Sequence, residues 1–100
     1  MNPTKDDKLY WSKLASLGCV ACRLDGHINN YVSIHHIDGR TKPGCHRLVL
    51  PLCFLHHQGG GGDAVVSVHP WRVRFEHKYG KQMDLKRMCD EMLGGDLCRQ

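Results

Sequence analysis

Apolar and polar positions along the chain change their period several times, and each change marks an element. Over residues 5–17, Leu9, Trp11, Leu14 and Leu17 supply an apolar stripe that predicts an amphipathic helix. Thr4 stands where an N-cap belongs, Asp6 and Asp7 fall in the first turn, where the helix dipole favours acids, and Gly18 follows as a stop. Residues 19–30 are rich in turn formers, among them Gly26, Asn29 and Asn30. The run Tyr31-Val32-Ser33-Ile34-His35-His36-Ile37 is β-branched and aromatic, which predicts a strand. A loop from Asp38-Gly39 through Arg40, Lys42, Pro43 and Gly44 separates it from a second, antiparallel strand at Arg47-Leu48-Val49-Leu50, which His46 opens.

Pro51-Leu52-Cys53 then leads into a short helix holding His56 and His57, and four glycines at 59–62 break regular structure. Val65-Val66-Ser67-Val68 reads as a strand or a buried extended segment. Pro70 suits the first turn of a helix through Trp71, Val73 (or Arg74), Phe75 and Tyr79, ended by Gly80. A last helix over 82–93 carries Leu85, Met88, Cys89, Met92 and Leu93 on one side and stops at Gly94-Gly95. The expected organisation is one α+β domain over residues 1–100: an N-terminal helix 5–17, a core 19–58 and C-terminal helices 70–93. No internal repeat is visible.

A chain of 100 residues buries only about two-thirds of its unfolded surface, so its stability margin is narrow. Small domains close that gap with disulfides or a structural metal. The polar opening Met1-Asn2-Pro3-Thr4-Lys5-Asp6-Asp7 has no signal-peptide character, and no apolar run is long enough to span a membrane. A cytoplasmic location is therefore expected, where thiols stay reduced and cysteines near histidines read as metal ligands. The six cysteines and eight histidines give ample ligands. Cys19-x-x-Cys22 and Cys53-x-x-His56 are two short-spaced pairs far apart in the chain, the pattern of a tetrahedral structural zinc site. Cys45, Cys89 and Cys98 have no such spacing. Cys89 reads as core, and Cys98 as a free thiol near a loose terminus. The net charge of +4 fits a nucleic-acid binder without demanding one.

The remaining histidines add chemistry. His35 and His36 end the first strand, where side chains alternate, so one can bind a metal and the other can activate water. His56 and His57 point about 100° apart on a helix, so His56 can face the zinc while His57 faces the hairpin. A strand-loop-strand-helix unit would gather His35, His36, His46 and His57 around one cleft.

The runs Val32-Ser33-Ile34-His35-His36-Ile37-Asp38 and Leu50-Pro51-Leu52-Cys53-x-x-His56-His57 resemble the HNH, or ββα-metal, nuclease superfamily. Ile34 to Pro43, Leu48 to Cys53, Val68-His69-Pro70 and Phe75-Glu76-x-x-Tyr79-Gly80 resemble, within it, the phage Ref family of recombination enhancement nucleases. The resemblance covers roughly residues 19–80. It implies a zinc-stabilised ββα-metal domain with flanking helices that hydrolyses DNA phosphodiesters. His36 takes the general-base position, which suits a group that titrates near neutrality. His35 and His57 match the catalytic-metal positions, with Mg²⁺, Mn²⁺ or Zn²⁺ as the ion. The superfamily's middle asparagine has no counterpart here, where position 48 is Leu. His46 stands nearby, as an orienter of His36 or a further ligand. His69 or Asp63 can complete the metal's shell, and His69 can equally cap the helix beginning at Pro70.

Arg40, Lys42 and Arg47, on the predicted hairpin, are the expected phosphate contacts. Arg72, Arg74, Lys78 and Lys81 extend that surface or form a solvated helix face, and Arg72 and Glu76 are spaced to pair with each other. No long basic recognition helix is present, so little base-sequence specificity is expected. The glycine run lacks the Lys-Ser/Thr of a phosphate-binding loop, which argues against a nucleotide cofactor. It reads instead as a pliable loop. The resemblance implies action beside a RecA filament in a phage-infected or lysogenic bacterial host. It also implies a longer basic N-terminal extension than is found here, hence weak DNA affinity alone and dependence on a partner. The competing expectations are a catalytically silent zinc module that binds DNA or protein, and a structural or regulatory phage protein that keeps the shell but not the chemistry.

Overall fold

Two antiparallel strands, β1 (Val32–His36) and β2 (Val49–Cys53), pair with Val32 opposite Cys53 and His36 opposite Val49. The computed structural model describes residues 2–60 and 65–94 of the chain. Asp63 and Cys98 lie outside the described residues, as do Gly61, Gly62 and Gly95. Around the hairpin stand α1 (Lys5–Ala15), α2 (Val20–Leu24), α3 (Arg72–Tyr79) and α4 (Gln82–Met92), giving an α+β architecture. β2 is buried along its whole length because α1, α2 and α4 all pack against it. β1 is buried only at His35 and His36. The core joins Leu14, Val20, Leu50, Leu52, Phe75, Leu85 and Cys89, so Cys89 is a core residue as expected.

α1 begins as the sequence predicts. The Thr4 side chain accepts from the Asp7 backbone N–H at 3.1 Å while Asp7 accepts from the Thr4 N–H at 2.9 Å, a reciprocal capping box. Asp7 also meets Arg47 Nε at 2.9 Å, and this hydrogen bond holds its carboxyl down to about 2. The helix stops at Ala15, two residues early, and its buried face is Tyr10 and Leu14, with Leu9 59% exposed. Tyr10 and Leu14 lie one turn apart on one face; Leu9 is rotated about 100° off it.

Several boundaries differ from expectation. The turn-rich segment contains α2, started by Cys19, whose sulfur accepts from the Cys22 N–H at 3.4 Å. The second strand runs from Val49 to Cys53 rather than 47–50, and His46 lies before it in a 3₁₀ turn, Cys45–Arg47, entered through Gly44 at φ 78°. Pro51 sits inside that strand, opposite Ile34. It is tolerated because β2 has a single strand partner among the described residues. His56 and His57 ride on one wide π-helical turn, Leu55–Gly59, rather than a regular short helix. Helix α3 starts at Arg72, not Pro70, with Trp71 as a cap that makes no side-chain bond, so His69 does not cap it.

Residues 65–69 form no full strand. They are instead zipped onto the π-turn: Val68 N–H donates to His56 O at 2.8 Å and His69 N–H to His57 O at 3.0 Å. The Ser67 hydroxyl donates to Gly60 O at 2.6 Å. A Cβ on Gly60 would come within 2.4 Å of Leu55 O and 2.8 Å of Val65 O, so only glycine fits at this crossing. Gly60→Ala should therefore destabilise the protein by about 1–3 kcal/mol, as overpacking does. Thermal unfolding should register this as a drop of roughly 4–8 °C per kcal/mol for a domain of this size. An unchanged melting temperature would mean the crossing gives way freely.

Candidate metal centres and the cleft between the histidines

The turn before α2 and the turn after β2 bring Cys19, Cys22, Cys53 and His56 together, all buried, with one donor atom of each within 4.8 Å of the others. His56 Nδ1 lies 3.5 Å from Cys19 Sγ, 3.5 Å from Cys22 Sγ and 3.3 Å from Cys53 Sγ, and the Cys22 and Cys53 sulfurs are 3.7 Å apart. Tetrahedral zinc at ordinary bond lengths separates its ligands by about 3.8 Å for two sulfurs and about 3.5 Å for sulfur and nitrogen. The donor set and its spacing fit that ion. Burial pushes the Cys22 thiol up to about 12, with the nearby Cys19 adding to the effect, and burial likewise raises Cys19. An ion that takes these groups as thiolates must displace their protons.

The other nitrogen of His56 is held from outside the cluster. His56 Nε2 lies 2.9 Å from the Tyr79 oxygen, and the Tyr79 hydroxyl donates to Asp25 Oδ2 at 2.7 Å. Burial, then Asp25, raises the Tyr79 hydroxyl, which stays a donor. With His56 Nε2–H directed at Tyr79, Nδ1 is left with its lone pair toward the sulfurs. Tyr79 belongs to the motif that carried the sequence resemblance. Asp25 left no local signal.

One residue further along the π-turn, His57 faces a second group. His35, His57 and His69 each offer a ring nitrogen within 4.8 Å of the other two. The ring centroids of His35 and His57 are 5.1 Å apart and those of His35 and His69 5.0 Å. His69 reaches this position through its backbone bond to His57. His57 Nδ1 lies 2.9 Å from Ser33 Oγ, and His35 Nε2 lies 2.7 Å from Gln82 Oε1. Neither Ser33 nor Gln82 was visible in the sequence as a partner. Burial above all lowers His35 to about 4 and lowers His57 as well, which favours the neutral form a metal ligand needs.

His35, His57 and His69 line a cleft of about 420 Å³ together with His36, Ile37, Gly39 and Arg40. His36 and His35 make different contacts, as alternation along a strand requires, but both reach this cleft at the end of β1. His36 Nε2 lies 2.9 Å from His46 Nδ1, and Trp11 packs edge-on against both rings at 5.5 Å. Trp11 Nε1–H donates to the His46 carbonyl at 2.7 Å. His46 thus stands behind His36, outside the cleft lining and outside the three-imidazole group. His36 Nδ1 is buried without a hydrogen-bond partner. Burial, then the charge of Arg40, lowers its pKa.

The expected phosphate contacts are placed unequally. Arg40 lines the cleft. Lys42 is exposed on the turn leading to Gly44. Arg47 is drawn to α1, bonded to Asp7 and lying over the Tyr10 ring. Arg72 pairs with Glu76 at 3.8 Å, as their spacing predicts, and Lys78 approaches Asp25 at 3.9 Å. Arg74 lies over Trp71. Lys81 lines a separate cleft with Arg72, Asp38 and Glu76. No described helix is long and apolar enough to cross a membrane.

Cys53→Ser should lower bound zinc and unfold the domain, and a strong chelator should do the same to the unsubstituted protein. Metal content by atomic absorption and far-UV circular dichroism would register both effects. An unaltered melting curve with zinc lost would mean the cluster does not hold the fold.

A family model described as recombination enhancement, RecA-dependent nuclease matches residues 3–94. The chain belongs to that family of RecA-dependent nucleases.

Proposed function

We propose that this protein is a metal-dependent DNA endonuclease of the HNH type, with one metal centre holding the fold and another beside the scissile phosphate. The observation that carries this is the convergence of His35, His57 and His69 in a cleft lined as well by His36 and Arg40. The order β1, β2, helical turn, with His35 on the first and His57 on the third, is that of the ββα-metal nucleases. Imidazole ligands suit a divalent transition ion such as Zn²⁺ better than magnesium. Bound there, the ion would act as a Lewis acid on a phosphate oxygen and stabilise the departing one.

The chain's own groups supply the rest. Arg40 attracts the backbone phosphate and aligns it over the histidines. His36 takes a proton from water, the oxygen attacks phosphorus, and the ester oxygen opposite leaves and is protonated from solvent. His46 then fixes the His36 ring and spreads the resulting charge, and Trp11 fixes His46. This favours the orienting role for His46 over that of a ligand. Contacts to backbone phosphates without a base-reading helix give little sequence preference. The family description supports a RecA filament as the partner that brings the nuclease to DNA.

A plasmid-nicking assay with Mn²⁺ or Mg²⁺ tests the assignment. His36→Ala should lose about 10²–10⁴-fold in rate, the usual weight of a general base, with zinc content and circular dichroism unchanged. Undiminished nicking by that variant would remove His36 from the chemistry.

A further inference from the structure

Gln82, the first residue of α4, is 3% exposed, an unusual burial for a long polar side chain. Its two amide atoms have different partners. Oε1 lies 2.7 Å from His35 Nε2, and Nε2 lies 3.4 Å from Glu76 Oε2, which also receives the Gln82 backbone N–H at 3.4 Å. Arg72 Nε lies 3.8 Å from Glu76 Oε2 on the same helix.

The direction of this chain follows from donor and acceptor chemistry. An ionised carboxylate only accepts, so the Gln82 amide must turn its NH₂ toward Glu76. Its carbonyl then faces His35 and can only accept. His35 must therefore carry its ring proton on Nε2, leaving Nδ1 as the nitrogen with a lone pair. Histidine ligands are commonly fixed in this way by a hydrogen bond on the ring nitrogen facing away from the metal.

We propose that Gln82 and Glu76 are positioning residues for the cleft metal: Glu76 orients the Gln82 amide, and the amide selects the His35 tautomer that can bind the ion. This rests on the assignment of His35, His57 and His69 as that ion's ligands. It gives α3 and α4 a part in the site although neither supplies a ligand.

The test uses protein carrying one zinc per chain, enough for the cysteine cluster alone, titrated with Mn²⁺ and followed by electron paramagnetic resonance. Wild type should bind Mn²⁺ in the cleft, and His57→Ala should abolish that binding. Gln82→Met, of similar length but without an acceptor, should weaken it by about 10–100-fold, with zinc content and circular dichroism retained. Glu76→Leu should act in the same direction, and Glu76→Gln, which keeps an acceptor oxygen, should restore most of the affinity. Wild-type affinity in a folded Gln82→Met protein would overturn the proposal alone. Mn²⁺ binding that is absent from wild type, or indifferent to His57→Ala, would remove the cleft ion itself and the proposal with it. Should Gln82→Met fail to fold, long-range ¹H–¹⁵N correlation on wild type decides. A His35 proton on Nε2 supports the chain of bonds, and a proton on Nδ1 overturns it.

Discussion

The gathering of Cys19, Cys22, Cys53 and His56 is the constraint on which the other parts depend. Folding a chain this short leaves a net margin of only about 5–15 kcal/mol, whereas a structural zinc site contributes an apparent 10–16 kcal/mol in small fingers. An ion held by this cluster would thus contribute as much as the whole margin. It also sets geometry. The cluster clamps the start of α2 to the turn after β2, and that turn aims His57 at His35. Tyr79 and Asp25 close the arrangement from outside by fixing the far side of the His56 ring.

Much of this was legible in the sequence because the decisive signals are local. Two short-spaced ligand pairs announce a tetrahedral site wherever they fold, and Thr4 with Asp7 announces the start of a helix. The adjacent His35 and His36 announce two different sets of contacts through strand alternation. Boundaries were less legible where tertiary contacts overrule local pattern. β2 extends through Pro51 because three helices bury it, and Leu9 stays exposed because Tyr10 takes the place against the core. The π-helical turn had no periodic signature, and its width places His56 and His57 over two different centres.

What stayed hidden was the layer behind the ligands. Gln82 meets His35 across 47 positions of sequence, Trp11 meets His46 across 35, and Tyr79 meets Asp25 across 54. Such pairs are set by how α1, α3 and α4 pack on the hairpin, and no short window of residues records them. Tyr79 had a signal as a site residue only through the family resemblance, and Glu76 had one besides in its spacing from Arg72. The same packing moved Arg47 from the expected phosphate surface to Asp7 and Tyr10, where it binds α1 to the turn ahead of β2.

His56 and His57 are consecutive, yet they face separate side-chain clusters, and their carbonyls are the ones that receive Val68 and His69. This single peptide step acts as a vernier between fold and chemistry. Inserting or deleting one residue between Cys53 and His57 would shift His56 away from the three cysteines, rotate His57 off the cleft and break the register that brings His69 to it. Chain length across this stretch is therefore more tightly constrained than most side chains within it.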